Sequence, residues 1–348
     1  MKIGIIGGGF YGCYLAYKLV QQDNRVVIFE KNKKILSEAA INNQYRLHRG
    51  FHYPRSNKTI MQTNLGARLF IKEFRRFVYF PKLNIYAVHK NSNISFRHYL
   101  KIYKKNKIVF KIINRKFFQK YFTQPNKIEG AIKVQEGVIK LNELYKFLKK
   151  KIKKVNLKTN TEVKKIDNIK KRVYFNNEYE DFDLIINCTF IDPNMGLKKD
   201  FFKVKYEIAS MVHVKNFLNK NIALTLMDGS YGSLYPINDD ILTLSSVKYT
   251  PLKKCEKLNQ YKKIIKSKNF YKSINQNSKK IINHLNKFFI MPNNIKIKKI
   301  TTSPKVKVMK DFQDQRLSMI KSDRGIVSIL CGKLDAAPLV WKSLKKKL

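Results

Sequence analysis

Residues 2–30, KIGIIGGGFYGCYLAYKLVQQDNRVVIFE, decide the fold. The apolar run Lys2 to Ile6 ends in three glycines, which suits a buried strand followed by a tight turn. From Phe10 to about Gln22 the apolar residues Leu15, Leu19 and Val20 fall near helical spacing, and Arg25 to Phe29 is a second β-rich run closed by Glu30. Gly7, Gly9 and Gly12 form GxGxxG directly after a strand and at the opening of a helix, the context that gives the motif meaning. The first glycine permits the turn, the second lets the backbone approach a pyrophosphate, and the third lets helix and strand pack closely. A phosphate then lies at the positive end of the helix. Glu30 stands about 20 residues further on, where a carboxylate accepts ribose hydroxyls and repels the extra phosphate of NADP.

FAD and NAD share this fingerprint, so the choice between them rests on the chain beyond Glu30. A nicotinamide-dependent dehydrogenase usually continues with regular βα units; here the chain leaves for a long polar and aromatic loop, Leu36 to Ser56. Met61, Leu65, Leu69, Phe70, Phe74 and Phe77 then mark an amphipathic helix, and LNIYAVHK (83–90) a strand. The nucleotide-binding pattern resumes with a helix carrying Leu144, Tyr145, Leu148, Ile152 and Val155. A hairpin in NTEVKKIDNIKKRVYF (160–175) comes next, and then the buried strand of DFDLIINCT (181–189). Alternating runs between Lys203 and Val247 predict an antiparallel sheet, and Ile281, Ile282, Leu285, Phe288 and Phe289 a helix. The chain closes with a strand Ile326 to Leu330, a turn at Gly332 and a last helix. This interrupted order argues for FAD. The expected fold is α/β with α+β: a discontinuous Rossmann-type FAD-binding domain (1–77, 138–195 and 305–348) and an antiparallel-sheet substrate domain (78–137 and 196–304).

The composition sets the competing readings. Lys and Arg number 72 against 24 Asp and Glu, a formal net charge of +48, which taken alone describes a noncatalytic nucleic-acid-binding protein. The excess is mostly lysine, is spread over the whole length and travels with abundant Asn and Ile, as drift in an A+T-rich coding sequence produces; no recognition motif accompanies it. Nucleic acid is therefore not the expected partner. The four cysteines, Cys13, Cys188, Cys255 and Cys331, are widely spaced without a CxxC pair, so reduced thiols and no structural metal are expected. No apolar run reaches the roughly 18 residues of a spanning helix, and the run at Ile3 to Ile6 is too short for a signal peptide; the expected location is cytoplasmic.

The opening, TEVKKI (161–166), DLIINCT (183–189) and GKLD (332–335) together resemble the D-amino-acid oxidase and glycine oxidase superfamily of FAD-dependent oxidoreductases. Within it, NNQYRLHRGFHYPRSNKTIMQTNLGARLF (42–70) followed by LNIYAVHK is similar to a stretch of L-2-hydroxyglutarate dehydrogenases. The resemblance implies that Asn43, His48, Gly50, His52 and Tyr53 lie near the isoalloxazine and that Arg46 and Thr189 belong to the cofactor site. It also implies that Val163 meets adenine through its backbone, and that Gly332, Lys333 and Leu334 approach the pyrimidine ring. It expects a small residue, often glycine, after the INCT strand, where this chain has Phe190.

The chemistry implied is oxidation of a small amino acid, amine or 2-hydroxy acid by hydride transfer to flavin. The electron acceptor is left open among oxygen, a quinone and another carrier. A hydroxy acid needs a base for its hydroxyl proton, and His48 and His52 have the right ordinary pKa. Tyr53, Tyr231, Tyr235 and Arg316 are further candidates for the substrate wall, and Arg46, Arg49 and Arg55 for a carboxylate. For each the competing reading is packing or solvated charge. Cys331 raises covalent flavin attachment; a small buried apolar cysteine is the commoner use.

Overall fold

The computed structural model describes residues 1–218, 221–309 and 315–348. Strand β1 (Lys2–Ile6), helix α1 (Phe10–Val20) and strand β2 (Arg25–Phe29) form the expected βαβ opening. β1 lies between β2 and Leu184–Asn187, parallel to both, with Ile3 opposite Val26 and Leu184. The six-stranded sheet runs Met319–Asp323, Ile326–Leu330, Leu184–Asn187, β1, β2, Asn156–Lys158, and only the first of these is antiparallel to its neighbour. Strands covered on both faces read as nearly continuous apolar runs, which is why KIGII, RVVIF and IVSIL show no alternation.

Successive residues of these strands still point to opposite faces. Ile3, Ile5, Val26 and Ile28 pack with Leu15 and Leu19 of α1, and with Leu144 and Val340 from the helices Leu141–Lys151 and Ala337–Lys345. Ile6, Val27 and Phe29 pack instead with Val163, Ile166, Val173 and Phe175. These come from a three-stranded antiparallel sheet, Val163–Asp167, Arg172–Phe175 and Glu178–Asp181.

Helix α2 (Asn57–Phe74) is capped by Ser56, whose hydroxyl accepts from the Thr59 amide. Its buried stripe is Ile60, Thr63, Ala67, Phe70 and Phe74, whereas Met61 and Leu65, expected on the apolar face, are exposed. The stripe is set one residue off because small residues carry it: at Gly66 a β-carbon would come within 2.9 Å of the Asp335 carbonyl oxygen. A stripe holding threonine, glycine and alanine is invisible to a search for large apolar residues.

The second large sheet has nine strands. Val204–Lys215 is paired along its length by Ile297–Val308, and Gly232–Pro236 and Ile241–Ser246 continue it antiparallel. The expectation of an antiparallel sheet needs one correction: Ile222–Met227 runs parallel to Leu83–His89, which joins two distant chain segments without a hairpin. The strand Ile297–Val308 also passes through the boundary expected at residue 305. Phe288 and Phe289 lie beyond the end of the helix Asn269–Leu285, and Phe289 is still fully buried in the core beneath this sheet. Among the described residues no helix is long and apolar enough to cross a membrane.

Candidate functional site

A cavity of about 980 Å³ runs from the glycine turn to the face of the nine-stranded sheet. At one end its wall is Gly7, Gly8, Gly9, Phe10 and Tyr11, so the N-terminal end of α1 opens into it. Gly7 has φ +103°, the left-handed region that favours glycine. A β-carbon on Gly12 would lie 2.0 Å from the Gly7 carbonyl oxygen, while one on Gly9 meets nothing within 4 Å. Gly12 thus stays off the wall and seats the helix, and Gly9 leaves its space open. Glu30, Val163 and Thr189 extend the same wall. The Glu30 carboxylate accepts from the amides of Gly8 and Asn32, both at 2.8 Å, which fixes it beside the turn.

Phe190 lies on the wall in the left-handed region, φ +65°. The resemblance calls for a small residue here, and this backbone conformation is a reason for glycine; phenylalanine bears a cost of roughly 1–2 kcal/mol instead. At the other cavity end Gly332 is equally constrained, since its β-carbon would fall 2.2 Å from the Arg316 carbonyl oxygen. Its amide donates to Ser318 Oγ at 2.8 Å, and Tyr11 reaches both Ser318 and the Lys333 carbonyl oxygen, tying α1 to the last helix.

Asn43, Arg46, His48, His52, Tyr53, Arg316, Lys333 and Leu334 line the part of the cavity between these supports. Their partners make one connected polar group. Lys333 Nζ lies 3.1 Å from His48 Nε2 and 5.1 Å above the Tyr53 ring. His48 Nδ1 faces the fully buried Glu136 carboxylate at 3.9 Å, an electrostatic contact too long for a hydrogen bond. Glu136 accepts from the Arg49 amide at 2.8 Å and from the Tyr86 hydroxyl. Arg46 stacks 3.8 Å over the Tyr235 ring and donates to Tyr86 and Thr225, each at 3.2 Å. Its guanidinium also meets His52 Nδ1 at 3.4 Å.

Burial and the nearby charges of Lys333, Arg46 and His52 hold His48 well below the usual histidine range, so it is neutral. Desolvation and the neighbouring Arg316 push the Lys333 ammonium down to about 7. Burial raises both Glu136 and Asp335. Asp335 is buried at the start of the last helix, and neither carboxylate oxygen bonds a described residue.

Four candidates fall elsewhere, among them Tyr235, which is fully buried beneath the Arg46 guanidinium and off the wall. Tyr231 packs on His89 and Phe288 in the sheet core and is off the wall. Gly50, with φ +98°, abuts the Ile60 backbone behind the wall. Arg49 contributes its amide to Glu136 and its side chain to the Gln135 carbonyl oxygen. Arg55 lines the cavity in an ion pair with Asp228 at 3.1 Å. Burial raises the Cys331 thiol well above its ordinary pKa, leaving little thiolate. Sequence reading missed Glu136, Gln44, Ser233 and Ser245. Glu136, an acidic residue against the apolar run GVI in a chain poor in acids, was the one visible signal.

The glycine turn, the open space at Gly9, the carboxylate beside it and the cationic far end fit a dinucleotide carrying a flavin, and known proteins agree. The model of the FAD dependent oxidoreductase family DAO matches residues 2–239. The FAD-dependent monooxygenase FPY4 of Fusarium mangiferae is 30% identical over 262 residues, 72% of this chain and 65% of that protein. The FAD-dependent monooxygenase kojA of Aspergillus flavus is 37% identical over 87 residues, 25% of this chain and 20% of that protein. The chain thus spans less than two thirds of either. Its fold is shared by glycine oxidase from Bacillus cereus, TM-score 0.72 at 13% identity, covering 100% of this chain and 95% of that one. It is shared too by L-α-glycerophosphate oxidase from Mycoplasma pneumoniae with FAD bound, TM-score 0.71 at 19% identity, covering 99% and 94%. With a family match over more than half its length, the chain belongs to the DAO family of FAD-dependent oxidoreductases, and FAD, in place of a nicotinamide, is its cofactor.

Proposed function

We propose that the substrate is a small carboxylate-bearing molecule, an amino acid or a 2-hydroxy acid, oxidised at the carbon that carries the amine or hydroxyl. The observation that carries this reading is the charge of the far cavity end, where Arg46, Arg316 and Lys333 share the wall with a neutral His48. Bound FAD supplies the hydride acceptor. Gly7, Gly9, Glu30, Val163 and Thr189 would hold its nucleotide half, and Gly332, Lys333 and Leu334 its ring end. Arg46 is already stacked and hydrogen-bonded, so it meets a carboxylate without losing further side-chain freedom. His48 and Lys333 act as one proton-holding unit. While Lys333 is an ammonium it donates to His48 Nε2, and once it is deprotonated the pair takes the substrate proton. His52 and Tyr53 close the wall around them.

In this reading the half built on the six-stranded sheet is the FAD-binding domain and the nine-stranded half is the substrate domain. Anaerobic mixing of the holoenzyme with amino and 2-hydroxy acids tests it. Loss of the visible flavin absorbance is expected, and slower loss in His48→Ala with unchanged flavin content. Equal rates in that variant remove His48 from the reaction.

A further inference from the structure

Where the nine-stranded sheet lines the cavity it contributes a run of hydroxyl groups beside apolar ones such as Met211 and Leu226. Ser233 and Ser245 lie directly opposite each other on the adjacent strands Gly232–Pro236 and Ile241–Ser246, and their Oγ atoms are 2.9 Å apart. Gln44 Nε2 reaches Ser233 at 3.3 Å and Thr243 at 3.1 Å, with Ser245 at 3.5 Å. Gln44, Ser233 and Ser245 all line the cavity. The row continues through the sheet, because Thr225 pairs with Ser233 on the next strand and accepts from Arg46 Nη2. Strands lie about 4.8 Å apart, so the row from Thr225 to Ser245 spans roughly 10 Å and leads away from the guanidinium.

The donor count leaves this wall incomplete. Two serine hydroxyls hold two hydrogens; their mutual bond uses one, and the Gln44 amide supplies hydrogens and takes none. One serine hydrogen and the Gln44 carbonyl oxygen therefore take no partner among the described residues. An apolar substrate chain laid here leaves them desolvated and unmatched, a loss that a hydroxylated chain avoids. Small side chains also leave room for the substrate's own oxygens.

We infer that the substrate is a polyhydroxylated carboxylate of the sugar-acid class, its carboxylate toward Arg46 and its hydroxyls along Gln44, Ser233 and Ser245. This rests on the carboxylate reading of the charged end. Matched pairs test it with the holoenzyme: gluconate and its C2 epimer against 2-hydroxyhexanoate, and 2-amino-2-deoxygluconate against norleucine. Flavin reduction is followed anaerobically, and binding by calorimetry. The hydroxylated partner of at least one pair is expected to win by ~10-fold or more in kcat/KM, with the gap closing in S233A/S245A. Norleucine and 2-hydroxyhexanoate each matching their hydroxylated partners, with flavin reduced by one of these acids, overturns the inference and leaves the carboxylate reading standing. Reduction by glucitol, which has hydroxyls and no carboxylate, with none by any acid, overturns the inference together with the carboxylate reading. Neither reduction nor calorimetric binding by any hydroxylated compound overturns the inference.

Discussion

Lys333 Nζ stands 3.1 Å from His48 Nε2, although the two residues are 285 positions apart in the chain. The contact joins the loop after β2 to the start of the last helix, so each supplies half of a unit that neither forms alone. With Lys333 pushed down to about 7, the unit gains base character as the pH rises through that value. The rate of flavin reduction should therefore rise from pH 6 to pH 8. Lys333→Met should flatten this step and slow reduction by about 100-fold. Stopped-flow reduction across pH checks it, and an unchanged step excludes Lys333.

Gly9 and Gly12 belong to one motif and should fail differently. Gly9→Asp places a carboxylate in open cavity space where a pyrophosphate is to lie, so flavin should be lost while thermal unfolding changes little. Gly12→Ala drives a methyl group to 2.0 Å from a backbone oxygen, so stability should fall with cofactor content. Flavin absorbance and a circular-dichroism melt on each variant separate the two.

Arg46 and Glu136 share the buried cluster through Tyr86. Arg46→Met leaves the carboxylate without its main cation, at a cost of about 3–5 kcal/mol in urea unfolding. Glu136→Gln added to it should recover part of that loss. Additive losses would show that the two do not interact.

His213 is buried, bonds Thr301 Oγ1 at 3.0 Å and is held down to about 4 by desolvation. Its folded pKa lies below the ordinary value near 6.5, so the unfolded chain takes the proton first. Its contribution is complete above pH 6.5 and is lost as the pH falls toward 4, by up to ~3 kcal/mol. Melting in His213→Gln should depend less steeply on pH across this window.

Much of the glycine-turn end of the cavity was legible because its signals are local. A glycine triplet, a helix and Glu30 lie within one run of 29 residues, and backbone geometry demands those residue types. The far end of the cavity was harder. His48, His52 and Arg46 were found through a resemblance, yet Glu136 and the Ser233–Ser245 pair carry no motif and meet them only through sheet register. The mispositioned face of α2 and the parallel pairing of Ile222–Met227 escaped for two reasons: small side chains carry the first and long-range pairing makes the second, and neither leaves a periodic trace.

The most direct test mixes the holoenzyme anaerobically with each amino or 2-hydroxy acid and with the matching amine or alcohol that lacks the carboxylate. Flavin bleaching by an acid at least ~10-fold faster than by its decarboxylated partner is the expected result. Equal bleaching by the two would contradict a carboxylate site at Arg46 and Arg316.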